Sequence, residues 1–207
     1  MTLVDLTRPI ESGMPTYPGD PPVSVESHAT FDRDGYRVAR LELGSHTGTH
    51  VDAPAHTEPD GATLDSYSVD ELRMTAQVVD CRGVGAGGKI TPAHLPEIES
   101  DVECLVFRTG WEDEWGTDRM TEHPSLSAEL AQFCADRGYA VATDALSPDP
   151  TGGSEIPVHN AVLGAGNLIV ENLCGLAMLP VGESFTLFVL PLRVDSDGAP
   201  ARVVAEF

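Results

Sequence analysis

Short apolar or alternating runs recur along the chain at Val23 to Ala29, Tyr36 to Leu43, Ala76 to Val79, Val102 to Phe107, Ala140 to Ala142, Leu168 to Val170, Phe185 to Leu190 and Arg202 to Ala205. Runs of this length predict strands, and those that are apolar at every position predict strands buried on both faces. Helical periodicity is rarer. In PSLSAELAQFCADRG, residues Leu126, Leu130, Phe133 and Cys134 follow helical spacing, Ser127 suits the N-cap, Glu129 the positive N-terminal end and Gly138 the stop. Shorter helices are expected at Val69 to Met74, after Thr91 and near His159. Strands alternate with helices but outnumber them, which predicts a mixed α/β fold rather than a regular doubly wound sheet. With 207 residues, no internal repeat and no linker, a single domain over 1–207 is expected. The proline-rich stretches MPTYPGDPP and SPDPTGGSEIP read as ordered turns or long loops, where function often sits on a rigid scaffold.

Charge narrows the partners. Twelve basic residues against 33 acidic ones leave a formal net charge of -21, and Lys89 is the only lysine. Nucleic acid and anionic membrane surfaces repel such a chain, so neither is an expected partner. An acidic surface almost free of lysine also suits a protein kept hydrated in concentrated salt, although an ordinary acidic cytosolic protein fits the same numbers. The cysteines Cys81, Cys104, Cys134 and Cys174 form no CxxC pair and lie in or beside apolar runs, so buried, reduced thiols are expected. MTLVDLTRPI lacks a basic region followed by a long apolar stretch, and no window approaches the roughly 20 apolar residues of a membrane span. A cytoplasmic protein is expected.

Two motifs compete for the chemistry. After AQVVD, the run GVGAGGKI matches seven positions of a phosphate-binding loop, with Gly83, Gly88 and Lys89 in register. The eighth position needs a hydroxyl for magnesium and holds Ile90, and Pro92 follows too soon for a long helix, so a surface turn is the better reading. GSHTGTHVDAPAH, by contrast, packs three of the seven histidines and an aspartate into thirteen residues. In an extended strand His46 and His50 would stand roughly 13 Å apart. Thr47, Gly48, Thr49 and Pro54 disfavour a helix, so Gly48 is expected to turn the chain sharply and bring both imidazoles to one place. His50 and Asp52 are two apart and face the same side if the chain is extended there. His46, His50 and Asp52 then make a two-histidine, one-carboxylate set that suits zinc, manganese or iron and leaves positions open for water and substrate. His56, set off by Pro54, lies nearby, where it can support a ligand or carry protons.

HTGTHVDAPAH resembles the HxGTHxDxPxH signature of the metal-dependent cyclase family, which includes bacterial kynurenine formamidase (arylformamidase) and isatin hydrolase. The resemblance spans nearly the whole chain, from MPTYPGDPP through LVFRTGW, HPSLSAELAQFCADRG and VATDALSPDP to PVHNAVLG and LIVENL. It implies a swivelling β/β/α fold with a mixed sheet, assembled as a homodimer or homotetramer. It further implies a first metal on His46, His50 and Asp52, with Asp52 bridging to a second held by His159 and Glu171, and His56 as proton donor and acceptor. Taken on their residues alone, His159 fits a helix cap and Glu171 a salt-bridge partner equally well. Tyr17 stands where formamidases of the family typically carry a tryptophan that stacks on the substrate, which weakens the case for N-formylkynurenine in particular; packing between Pro15 and Pro18 is an equal reading of that ring.

The reaction expected is hydrolysis of an amide. A cation, zinc first and manganese second, acidifies a coordinated water, and His56 takes its proton and passes it to the leaving nitrogen. An aryl-formamide would yield formate and an aryl amine; a cyclic amide or lactone of the isatin type would open to an acid. A serine hydrolase is disfavoured because GxSxG is absent and GGSEI lacks the second glycine. A metal-dependent binding protein without turnover has no need of His56, and a structural metal site would use cysteines, none of which lies near the motif.

Overall fold

The computed structural model describes residues 1–207. In chain order its elements are β1 (Leu3–Asp5), β2 (Ser24–Ala29), α1 (Phe31–Asp34), β3 (Val38–Glu42), β4 (His50–Asp52), β5 (Arg73–Asp80), β6 (Lys89–Ile90), β7 (Cys104–Arg108), β8 (Ser125–Leu126), α2 (Ala128–Arg137), β9 (Ala140–Thr143), α3 (Pro157–Gly164), β10 (Ile169–Glu171), β11 (Ser184–Pro191) and β12 (Gly198–Glu206). The main sheet runs β1-β12-β11-β5-β7-β9-β10-β4, and β4 pairs back onto β12. Seven strands therefore close into a ring, with β1 added outside on β12. The pairs β5–β7, β7–β9 and β9–β10 are parallel, and the remaining pairs of the ring are antiparallel.

Side chains alternate across this ring and build two cores. Along β7, Cys104 and Val106 join the ring interior with Val51, Ala142, Val170, Leu187 and Val203, while Leu105 and Phe107 face outward. There they meet Leu130 and Cys134 of α2 and Val158 and Val162 of α3. Both faces of the parallel strands are thus covered, as their unbroken apolar runs imply. The mixed α/β class is as expected.

Local readings depart in instructive places. No helix forms at Val69–Met74: Leu72 closes a turn and β5 begins at Arg73, because Met74, Ala76 and Val78 alternate into the ring interior. After Thr91 there is a single tight turn, Pro92–His94, capped by Thr91. The run Tyr36 to Leu43 shortens to β3, which pairs only with β2 in a hairpin apart from the ring. In GVGAGGKI the lysine enters β6, paired with β8, where a phosphate loop would start a helix, and Lys89 Nζ donates to Ser125 Oγ at 2.8 Å. All four thiols are free; Cys81, Cys104 and Cys134 are buried and Cys174 partly so. Burial pushes Cys81 and Cys134 up to about 12, which keeps both as inert thiols.

Candidate metal centre

The site lies at the carboxyl ends of the parallel strands, where ligand sites of α/β sheets gather. Period-two alternation sends Val51 into the ring interior and His50 and Asp52 to the outer face. On the neighbouring strand Val170 points inward, and Glu171 sits directly opposite His50 in the antiparallel register. α3 packs over this face and contributes His159. Gly48, with φ of 62°, makes the turn ahead of β4 and lets His46 swing back beside His50; their ring centroids are 5.1 Å apart.

Supporting hydrogen bonds aim each ring. His50 Nδ1 donates to Gly48 O at 2.8 Å, which leaves Nε2 for the cluster. His159 Nδ1 donates to Asp149 at 2.7 Å, and the same carboxylate accepts from the Val158 and His159 amides, both 3.0 Å, capping α3 from outside the helix. His46 donates from Nδ1 to Asp52 Oδ1 at 2.7 Å and from Nε2 to Asp197 Oδ2 at 2.8 Å. Around Asp52, which is fully buried, His50 Nε2 approaches Oδ1 at 3.2 Å and His159 Nε2 approaches Oδ2 at 3.7 Å. Glu171 closes the set, 3.3 Å from His50 Nε2 and 3.4 Å from His159 Nε2. The donor atoms of His46, His50 and Asp52 lie within 4.8 Å of one another, as do those of Asp52, His159 and Glu171, so Asp52 is common to two ion-sized groups.

Electrostatics bind the cluster into one unit. Burial alone would raise the Asp52 carboxyl, but His50, His159 and His46 hold it well below the usual carboxylate range. Burial pushes His50 and His159 down; Asp52 and Glu171 for the first, and Asp149, Asp52 and Glu171 for the second, outweigh it and hold both well above an ordinary imidazole. His46 is raised in the same way, burial being outweighed by Asp52. Three buried atoms, His50 Nε2, Asp52 Oδ2 and Glu171 Oε1, nevertheless have no hydrogen-bond partner. Such atoms are costly unless something satisfies them. Imidazole nitrogens and carboxylate oxygens without a thiol suit a borderline divalent cation, so the residues fit one.

A third group, His46, His56 and Asp197, adjoins the first. The His56 ring lies on the tight turn Pro54–His56, 4.1 Å from the His46 ring centroid, and its Nδ1 donates to Asp197 Oδ2 at 3.1 Å. Together these rings open onto a cavity of about 220 Å³. Tyr17, Trp115, Leu146 and Ile156 supply its apolar wall. The Tyr17 hydroxyl accepts from the Gly152 amide at 3.3 Å, and the Arg8 guanidinium lies over the Trp115 ring at 4.3 Å. The structure thus brings together all seven residues singled out in the sequence: His46, His50, Asp52, His56, His159, Glu171 and Tyr17. It adds Asp197, Asp149 and Trp115, which sequence reasoning passed over. Asp149 lies in the SPDP loop flagged as a functional place; Asp197 in DSDG carries only a turn signal.

Close packing at one backbone position yields a test. Gly198 of β12 lies opposite Asp52, and a Cβ there would stand 2.7 Å from His46 Cε1 and 3.1 Å from its Nδ1. Gly198→Ala is expected to displace the His46 ring and weaken affinity for a divalent cation about tenfold or more while the fold stays cooperative, as read by titration with zinc as the probe ion beside a melting curve.

Fold and cluster together define a class, α/β enzymes that carry an open group of histidines and carboxylates at the ends of parallel strands. A family model described as Cyclase matches residues 4–150. Kynurenine formamidase of Salinibacter ruber is 32% identical over 213 aligned residues, covering 99% of this chain and 97% of that one. The kynurenine formamidase of Erythrobacter litoralis is 34% identical, with coverage of 97% and 91%. A solved structure described as a potential metal-dependent hydrolase with cyclase activity matches at a TM-score of 0.80 and 30% identity, covering 99% of this chain and 96% of its own. Isatin hydrolase A from Labrenzia aggregata shares the fold, with a TM-score of 0.85 at 22% identity over 99% of this chain and 93% of that one. The chain belongs to the cyclase family of metal-dependent hydrolases.

Proposed function

We propose that the chain hydrolyses an aryl amide, with N-formylkynurenine as the first substrate to test, releasing formate. The observation that carries this reading is the buried Asp52 shared by two ion-sized groups beside an aromatic-walled cavity, in a chain that aligns over nearly its full length with kynurenine formamidases. His46, His50 and Asp52 would hold one cation and Asp52, His159 and Glu171 another, zinc first and manganese second. A bound cation supplies an acidified water and a Lewis acid for the amide carbonyl. His56, on the cavity wall with Nδ1 committed to Asp197, has Nε2 free to take a proton and return it to the leaving nitrogen. Tyr17 and Trp115 flank the space where an aryl group would lie, and about 220 Å³ exceeds the roughly 150 Å³ that accommodates benzene.

Several finer points belong to the same reading. One domain spans 1–207, and the protein works in the cytoplasm, which four free thiols support; no helix is long and apolar enough to cross a membrane. A homodimer or homotetramer is the expected assembly. The net charge of -21 with one lysine supports a high-salt setting.

The deciding experiment offers zinc-loaded and manganese-loaded protein a panel of N-formylkynurenine, formanilide, isatin and lactones. Preference for the formyl amides is expected. Preference for isatin would move the assignment to cyclic amides, and no turnover on a fully loaded protein would leave a binding protein.

Ligand protons give an independent check. His50 and His159 are held well above the ordinary imidazole value by the carboxylates beside them, so the metal-free protein favours their protonated forms. Since a cation needs their lone pairs, zinc binding at pH 7 is expected to release at least about one proton, and affinity to rise with pH until the raised values are passed. Calorimetry in two buffers of different ionisation enthalpy reads this directly. Equal heats in both would contradict it.

A further inference from the structure

We propose that Asp197 is the positioning residue that ties the proton-carrying imidazole to the metal-holding one. One of its oxygens, Oδ2, receives both His46 Nε2–H at 2.8 Å and His56 Nδ1–H at 3.1 Å. The other, Oδ1, accepts from Ser196 Oγ at 2.9 Å, and the Asp197 carbonyl accepts from the Ala53 amide at 2.8 Å, so the carboxylate is anchored at the junction between β4 and β12. Two donors on one oxygen decide which nitrogen of each ring is engaged. His46 keeps Nδ1, which donates to Asp52 here, as the nitrogen that would give up its proton to a cation, and His56 keeps Nε2 as its lone pair. Without Asp197, the 30%-exposed His56 side chain has nothing else in hydrogen-bonding range to choose its tautomer or hold its plane. Asp197 therefore fixes which His56 nitrogen is left to accept the proton and holds that ring beside His46.

This inference rests on His56 as proton carrier, and the experiment separates the two. With formanilide as probe and zinc-loaded protein, Asp197→Ala is expected to lower kcat about 10- to 100-fold with KM within about twofold, and Asp197→Asn, which keeps one acceptor oxygen, to fall between it and wild type. In a His56→Ala background, Asp197→Ala should cost less than about twofold more, because a residue acting through His56 has nothing left to position. Long-range proton–nitrogen NMR of histidine-labelled, zinc-loaded protein should show His56 protonated at Nδ1 in wild type and mixed in Asp197→Ala. Zinc stoichiometry should stay at the wild-type value. Loss of zinc in Asp197→Ala would make it a ligand of the third group instead, and a full multiplicative loss in the double variant, or an unchanged tautomer, would overturn the proposal. Wild-type turnover by His56→Ala would remove the proton-carrier reading and the kinetic part of the proposal, while the tautomer signal still decides whether Asp197 orients the ring. If Asp197→Ala does not fold, Asp197→Asn carries the comparison.

Discussion

Asp52→Ala is expected to yield a protein that holds no zinc after dialysis and hydrolyses formanilide at least about a thousandfold more slowly than wild type. The magnitude follows from position. Loss of a residue that only supports a ligand costs about 10- to 100-fold in metal affinity or activity; Asp52 belongs to both ion-sized groups, so its removal undoes the two together. Elemental analysis beside turnover reads the outcome, and a variant that keeps full zinc would show that the carboxylate is not shared. The same substitution should be felt in the metal-free fold. The Asp52 carboxyl is held low by His50, His159 and His46, a contribution present above the ordinary carboxylate value and lost as pH falls through the depressed one. His50 and His159 are held high, so their part is present below an ordinary imidazole value and lost as pH rises through the raised ones. The metal-free protein is therefore expected to gain most from this ion cluster between about pH 4 and 6.5, the ordinary values of the two groups. Thermal melts of wild type and Asp52→Ala across pH should differ most there.

His56→Ala is expected to separate the two functions that Asp52→Ala loses at once. Its zinc content should match wild type, because neither Asp52-centred group includes His56. Its kcat should fall about 10²- to 10⁴-fold, the span of general acid–base catalysis. The competing geometry is the third group, in which His56 and Asp197 share an ion with His46. Zinc loss in proportion to activity loss would favour that geometry and count against proton transfer.

Much of this centre is legible in thirteen residues, because His46, His50, Asp52 and His56 are neighbours in sequence and a single glycine turn suffices to converge them. Asp197 reaches the same rings only through the pairing of β12 with β4, and nothing near DSDG records that register. Asp149 acts across a loop onto the start of α3, and Trp115 enters the cavity from the segment after β7. The parallel strands were readable because burial on both faces leaves unbroken apolar runs. β4 was not, since in His-Val-Asp the outward positions hold His50 and Asp52 in place of the apolar residues that would mark a buried strand. Val69 to Met74 misleads for the opposite reason: Leu72 ends a turn and Met74 begins an alternation, and together they imitate helical spacing.

The closed ring also sets a timetable. β4 is held by Ile169–Glu171 on one side and by Gly198–Pro200 on the other, and the Thr49 carbonyl accepts from the Ala201 amide at 3.0 Å. During synthesis the histidine loop leaves the ribosome long before either neighbour exists. Pairings so distant in sequence form slowly and late. Glu171 and Asp197 reach the histidine loop only at the final closure of the ring, so the complete cluster exists only in the finished fold.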